Sequence, residues 1–211
     1  MDRPPPGEML VLGLTGGFGA GKTTVARLLA ARGARVLDAD RIVRELYAGG
    51  ELPARIARSF GTEVLAADGS IERGRLAEIV FASDAARREL EQMVHPAVRV
   101  VIEETLDRWR EEGFRGIVVV EAALLVETEH AYPLDALVVV TAAEGTRLRR
   151  LAARGVSPEQ ARRRMAAQAS DEQRRARADH VVRNEGTLAD LEREVEGLLA
   201  DLGRDRADHS R

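Results

Sequence analysis

Gly16-Gly17-Phe18-Gly19-Ala20-Gly21-Lys22-Thr23 fills every fixed position of the phosphate-loop pattern G-x-x-x-x-G-K-[ST]. The preceding run Leu10-Val11-Leu12-Gly13-Leu14 has the continuous apolar character of a buried parallel strand. After the loop, Val25-Ala26-Arg27-Leu28-Leu29-Ala30 repeats apolar residues at helical spacing. Strand, glycine loop and helix therefore stand in the order that phosphate binding requires. Glycines let successive backbone N–H groups turn inward around phosphate oxygens, and the helix directs its positive N-terminal end at the same anion. Lys22 supplies a mobile point charge for the β and γ phosphates, and the Thr23 hydroxyl can complete the coordination of Mg²⁺. The dinucleotide fingerprint fits less well, because Lys22 falls where its third glycine belongs.

Composition supports that reading independently. Lys22 is the only lysine, and every other basic residue is arginine. A chain that uses arginine for its general positive charge keeps its one ammonium where the loop needs one. The 211 residues suffice for one α/β core with a modest insertion. A net charge of −3 with 32% charged residues balances the arginines with carboxylates, so a nucleic-acid binder is not suggested. The absence of cysteine removes disulfides, thiolate nucleophiles and cysteine zinc sites. Four histidines, His95, His130, His180 and His209, lack ligand spacing, so no protein-held transition metal is expected. There is no long apolar run and no signal-peptide pattern, which points to the cytoplasm and away from a membrane.

Outward from the loop, Ala34-Arg35-Val36-Leu37 reads as a second strand ending in Asp38-Ala39-Asp40. In an open parallel sheet the ligand crevice lies at the carboxyl ends of the strands, where a hydroxyl acceptor for phosphate would need a base. Asp40 suits that role, and equally suits the N-cap of a helix over Arg41–Tyr47. Leu52–Phe60, Arg73–Phe81, Asp84–Val94 and Pro96–Trp109 read as amphipathic helices, with His95-Pro96 at a break. Together they form a helical insertion between strands. Gly116–Val120, ending at Glu121, and Ala136–Val140 are further strands of the kind covered on both faces. Glu121 stands where a Walker B carboxylate would serve the metal shell, or is simply a solvated strand end.

Arg147, Arg150 and Arg154 share one face of a helix beginning near Glu144. Capping-box patterns at Ser157-Pro158-Glu159-Gln160 and Ser170-Asp171-Glu172-Gln173 open two more helices. These arginine-rich helices make a lid over a triphosphate, in which one or two arginines facing the phosphates would suffice. His180–Arg183 reads as the last strand. Asn184 follows it as an adenine contact or a turn residue, and a final helix spans Leu188–Leu202. The fold class is thus α/β, a three-layer P-loop NTPase with a five-stranded parallel sheet. The expected organisation is a disordered leader at 1–8, a nucleotide core from 9–50, 113–154 and 179–202, an acceptor-binding insertion at 51–112, a lid at 155–178 and a disordered tail at 203–211.

With these pieces placed, the chain resembles the dephospho-CoA kinase family from about Leu10 to Leu202. The resemblance rests on Leu14–Ala26, Gly33–Asp40 with Arg44, Phe60-Gly61 followed by Asp68-Gly69, and Val80-Phe81. It continues through His95-Pro96, Leu124–Glu127, Ala167-Gln168, and Ala178-Asp179 with Asn184 and Gly186. It implies ATP-dependent phosphorylation of the ribose 3′-hydroxyl of dephospho-CoA, with Mg²⁺ accompanying ATP. Asp40 would be the base; Lys22, Arg150 and Arg154 would stabilise the transferring phosphoryl group. Gly17, Phe18, Gly19, Ala20, Gly21, Lys22, Thr23, Thr24 and Asn184 would bind ATP, with Thr23 on the metal. Thr15, Asp40, Arg44, His95, Leu124 and Glu127 would line the acceptor site. Small-molecule substrates are the expected partners, with a monomer favoured. This sequence has Ala123 where the family usually has proline, and a short segment between Arg154 and Ser157. The rivals are another small-molecule P-loop kinase (nucleoside, nucleotide, shikimate or gluconate acceptor) and a P-loop nucleotide switch, though no Asn-Lys-x-Asp guanine-reading motif is present.

Overall fold

The central strand, β1 (Leu10–Gly16), is buried at every position, which an apolar strand achieves only with neighbours on both sides and layers on both faces. The structure is a computed structural model describing residues 8–123, 125 and 132–208. The expected leader up to residue 7, the end of the tail from 209, and Leu124 and Glu127 lie outside the described residues. Strands β2 (Arg35–Asp38), β3 (Ile117–Glu121), β4 (Ala136–Thr141) and β5 (His180–Arg183) complete a five-stranded sheet in the order β2-β3-β1-β4-β5. Every pairing is parallel. The register sets Leu12 beside both Val119 and Ala136 and brings Asp38 level with Glu121 at the carboxyl edge.

Alternation along each strand divides the apolar side chains between two faces. Leu10, Leu12 and Leu14 join Val138 and Val140 in one cluster with Val25 and Leu29 of α1 (Lys22–Ala30) and Val195 and Leu198 of α9 (Leu188–Asp208). The intervening residues Val11, Val118, Val120 and Val139 are equally buried. Three helices connect β4 to β5: α6 (Glu144–Ala152), α7 (Pro158–Ala166) and α8 (Asp171–Arg177), the last meeting β4. Ser157 caps α7 by accepting from the Gln160 N–H, with Pro158 at the start of the helix. Ser170 and Gln173 form the full reciprocal capping box of α8. At the start of β2, the Arg35 guanidinium lies 5.0 Å from the Trp109 ring centroid and 4.4 Å from that of Phe114, and pairs with Glu112 at 2.7 Å.

The chain divides into two units: the described residues up to Asp38 with those from Trp109 onward, and Ala39–Arg108. The second contains α2 (Ala39–Ala48), α3 (Leu52–Phe60), a 3₁₀ turn at Thr62–Val64, α4 (Arg73–Ala82) and most of α5 (Asp84–Glu111). α2 meets α3, and both α3 and α4 meet the 3₁₀ turn. Among the described residues no helix is long and apolar enough to cross a membrane.

Two sequence expectations are corrected. The break at His95-Pro96 does not exist: α5 runs through Pro96 as one helix of 28 residues. Proline removes the bond to the carbonyl four residues back, a local cost of about 3 kcal/mol. Val94, Val98, Ile102 and Leu106 recur every fourth residue in α5 and are all buried, which contributes about 1.5–3 kcal/mol each and outweighs that cost. Likewise α9 does not stop at Leu202 but continues through Gly203 to Asp208. Because Pro96 is exposed in mid-helix, Pro96→Ala is expected to stabilise the protein by about 1–3 kcal/mol, less what the unfolded chain gains in entropy. Urea unfolding of the two proteins checks this, and a destabilised variant would mean the ring makes a contact worth more than the missing hydrogen bond.

Candidate active site

The phosphate loop is held from outside by side chains of other segments. Internally, the Ala20 N–H donates to Gly17 O at 2.9 Å and the Thr24 N–H to Gly21 O at 3.0 Å. Lys22 folds back so that Nζ donates to Gly16 O at 2.8 Å. Thr23 Oγ1 donates to Glu121 Oε1 at 2.7 Å, which joins the start of α1 to the end of β3. With Asp38 adjoining Glu121 in register, two carboxylates and a hydroxyl belong to neighbouring segments at the carboxyl edge of the sheet. Among the described residues no group of three or more His, Cys, Asp or Glu could hold a metal by itself.

The far end of the loop is fixed by Asn184, just past β5. Its Nδ2 donates to Ala20 O at 2.8 Å, its N–H donates to Thr141 O at 2.8 Å, and it is only 6% exposed. Arg150 completes the arrangement, donating from Nη1 to Asn184 O at 2.9 Å and from Nη2 to Asn184 Oδ1 at 3.0 Å. Gly21 must be glycine here: its φ is +102°, and a Cβ would lie 2.2 Å from Asn184 Nδ2. In this structure Asn184 braces the loop backbone, and Arg150 holds Asn184. Arg154, beyond the end of α6, is exposed.

α6 lies along the crest of the loop. A Cβ on Gly19 would meet Leu151 at 3.0 Å and Arg147 Cβ at 3.3 Å, and one on Gly17 would meet Arg147 Nη1 at 2.2 Å. The α7–α8 segment reaches the same crest. The Phe18 N–H donates to Gln168 Oε1 at 2.9 Å, and the Arg164 guanidinium sits 4.3 Å from the Phe18 ring centroid. Thr15, expected on the acceptor side, is fully buried, and its hydroxyl donates to Ala123 O at 3.3 Å. That bond ties the end of β1 to the turn after β3. Of the other acceptor-side expectations, Asp40, Arg44 and His95 fall in the helical unit. Asp40 is exposed in the first turn of α2, inside the helix and not at its cap, with exposed Arg44 one turn on. His95 is half-buried in α5.

The family model for dephospho-CoA kinase matches residues 10–190 of this sequence. The chain belongs to the dephospho-CoA kinase family. It is an enzyme of the kinase class on the α/β P-loop fold. A dephospho-CoA kinase of Frankia casuarinae is 47% identical over 92% of this chain and 84% of its own length. That of Thermobifida fusca is 43% identical over 93% of this chain and 98% of its own. Among solved structures, a Thermus thermophilus protein superposes with a TM-score of 0.78 at 36% identity, covering 92% of this chain and 98% of that one. Shikimate kinase from Acinetobacter baumannii shares the fold alone, with a TM-score of 0.51 at 17% identity over 92% of this chain and 95% of its own.

Within this dephospho-CoA kinase family member, sequence reasoning placed Arg147 on the arginine face of α6 but did not separate it from Arg150 and Arg154. It missed the contact of Gln168 with the loop backbone, whose only signal was the resemblance at Ala167-Gln168. His95 carries a pKa lowered from its ordinary 6.5, because burial disfavours the imidazolium; nearby Glu91 opposes the shift without cancelling it. The imidazole is therefore neutral at pH 7, offering one donor and one acceptor. As pH falls past 6.5 the unfolded chain takes up this proton before the folded one, so stability is lost from 6.5 downward to the lowered folded pKa. NMR titration should give His95 a midpoint below 6.5, and His95→Gln should flatten the loss of unfolding free energy as the pH falls below 6.5. A midpoint at or above the ordinary value would contradict the burial.

Proposed function

We propose that this kinase transfers the γ-phosphoryl group of ATP to the ribose 3′-hydroxyl of dephospho-CoA, giving coenzyme A and ADP. The observation that carries the reading is the complete phosphate loop, with its single lysine and its Thr23–Glu121 pair, in a chain that matches this family along residues 10–190. The ribose oxygen attacks the γ-phosphorus in line, the bond from that phosphorus to the β–γ bridging oxygen breaks, and ADP departs with the bond electrons. The hydroxyl proton passes to the Asp40 carboxylate, which orients the acceptor as well as accepting from it. Lys22 turns from the Gly16 carbonyl to the β and γ phosphates when ATP binds, while Arg44 and neutral His95 serve the acceptor.

A Mg²⁺ ion suits the oxygen donors here. Thr23 and Glu121, with Asp38 beside it in register, would hold an ion that takes its remaining ligands from phosphates and water, as this metal commonly does. Bound there, it would neutralise charge on the β and γ oxygens. Residues 155–178 act as the lid, and Arg150 or Arg154 neutralises the charge on the transferring phosphoryl group when it closes, Arg150 in this structure being held on Asn184. The helical unit binds the acceptor. The protein works as a monomer in the cytoplasm.

Mass spectrometry of products from Mg²⁺-ATP with dephospho-CoA, beside AMP, uridine and shikimate, tests the acceptor: coenzyme A is expected to appear in step with ADP. Phosphorylation of another acceptor in its place overturns the substrate. Asp40→Asn should retain ATP affinity and lose about 100-fold or more in kcat, whereas Lys22→Ala should weaken engagement of the triphosphate itself. Undiminished turnover in Asp40→Asn would remove that carboxylate from the chemistry.

A further inference from the structure

On the phosphate loop opposite Asn184, one carboxylate is shared by two buried guanidinium groups. Asp171, the first residue of α8, accepts from Arg147 at 3.1 and 3.5 Å and from Arg174 at 3.3 Å. The Arg147 side chain is 11% exposed, that of Arg174 2% and that of Asp171 32%. Charge-assisted bonds of this type normally close to about 2.7–2.9 Å; all three here are longer. Arg147 Nε is also buried without a hydrogen-bond partner among the described residues. An unmet donor on a buried cation is costly, so the Arg147–Asp171 pair leaves binding capacity unused.

The place of that capacity matters. Arg147 Nη1 lies against the Gly17 backbone, 2.2 Å from where a Cβ would be, and Asp171 Oδ1 is 3.4 Å from the same point. A few residues before Asp171, Gln168 Oε1 accepts from the Phe18 N–H. Two side-chain acceptor oxygens from one segment therefore stand at the loop whose donors serve phosphate. We propose that Arg147 is a further triphosphate-binding residue of this kinase and that Asp171 is its competing counter-ion, yielding the guanidinium to the phosphates of ATP. A triphosphate carries more charge and more acceptor oxygens than one shared carboxylate, and the guanidinium fork suits phosphate oxygens in pairs. Asp171 thereby limits how tightly the loop holds anions, and Arg147 is distinguished from Arg150, which is engaged with Asn184. The inference rests on the loop being the ATP site.

Calorimetric titration of the full chain with Mg²⁺-ATP and separately with AMP tests it. Arg147→Ala should weaken ATP about tenfold and AMP much less, since the lost contact is to the polyphosphate. Asp171→Asn should tighten ATP about three- to tenfold, and that gain should vanish in the Arg147→Ala/Asp171→Asn double variant. A purely structural ion pair predicts the reverse for Asp171→Asn, namely weaker ATP binding matching that of Arg147→Ala, and this result overturns the proposal. Equal losses for ATP and AMP in Arg147→Ala overturn it too, and decide the matter alone should Asp171→Asn fail to fold. Absence of ATP binding by the unaltered protein would instead refute the reading of the loop.

Discussion

A phosphate loop cannot commit most of its N–H groups to its own carbonyls and still bind an anion, so its shape must be imposed by its surroundings. That constraint governs the nucleotide unit. Asn184 holds the Ala20 carbonyl, Glu121 takes the Thr23 hydroxyl, Gln168 takes the Phe18 N–H, and α6 lays Arg147 and Leu151 across Gly17 and Gly19. Each support comes from a different stretch of chain, and the parallel sheet brings them together because the strands β3, β4 and β5 all end on the loop's edge. The rigidity of the sheet is thus transferred to a loop that has little of its own.

The use of arginine follows the same logic. With lysine confined to Lys22, the other cations near the loop are planar forks that make two directed bonds at once. Arg150 uses both of its terminal nitrogens on a single residue, Asn184, and becomes a structural part. Arg147, one turn earlier on the same helix, pairs among the described residues with a carboxylate that it shares with Arg174. Neighbouring residues of one type on one helix face therefore differ in role by what the sheet edge places opposite them.

Much of this was legible in the sequence. The loop, its flanking strand and helix, the apolar runs of β3 and β4, and the caps at Ser157 and Ser170 all obey local rules, and the structure has them where those rules put them. What escaped was decided by tertiary context. Pro96 signals a break, but a buried stripe spaced every fourth residue keeps α5 whole. The polar residues from 203 read as a tail, and α9 runs on to Asp208. The sequence offers Asn184 as an adenine contact or a turn residue and does not show the bond of its amide to the loop backbone, which arises because β5 lies next to β4, a pairing that no local pattern specifies. Periodicity gathers Arg147, Arg150 and Arg154 on one face, and only the docking of α6 on the loop tells them apart.

The stack of Arg35 on Trp109 and Phe114 lies where the chain passes between its two units, since it leaves the first after Asp38 and rejoins it at Trp109. Outgoing and returning segments are pinned to each other by that stack and by the Arg35–Glu112 pair, on the core side of both crossings. The start of β2 and the end of α5 are therefore clamped to each other within the first unit itself. Trp109 is also the sole tryptophan, which makes its indole emission a built-in optical gauge of that stack, free of emission from any other indole in the protein.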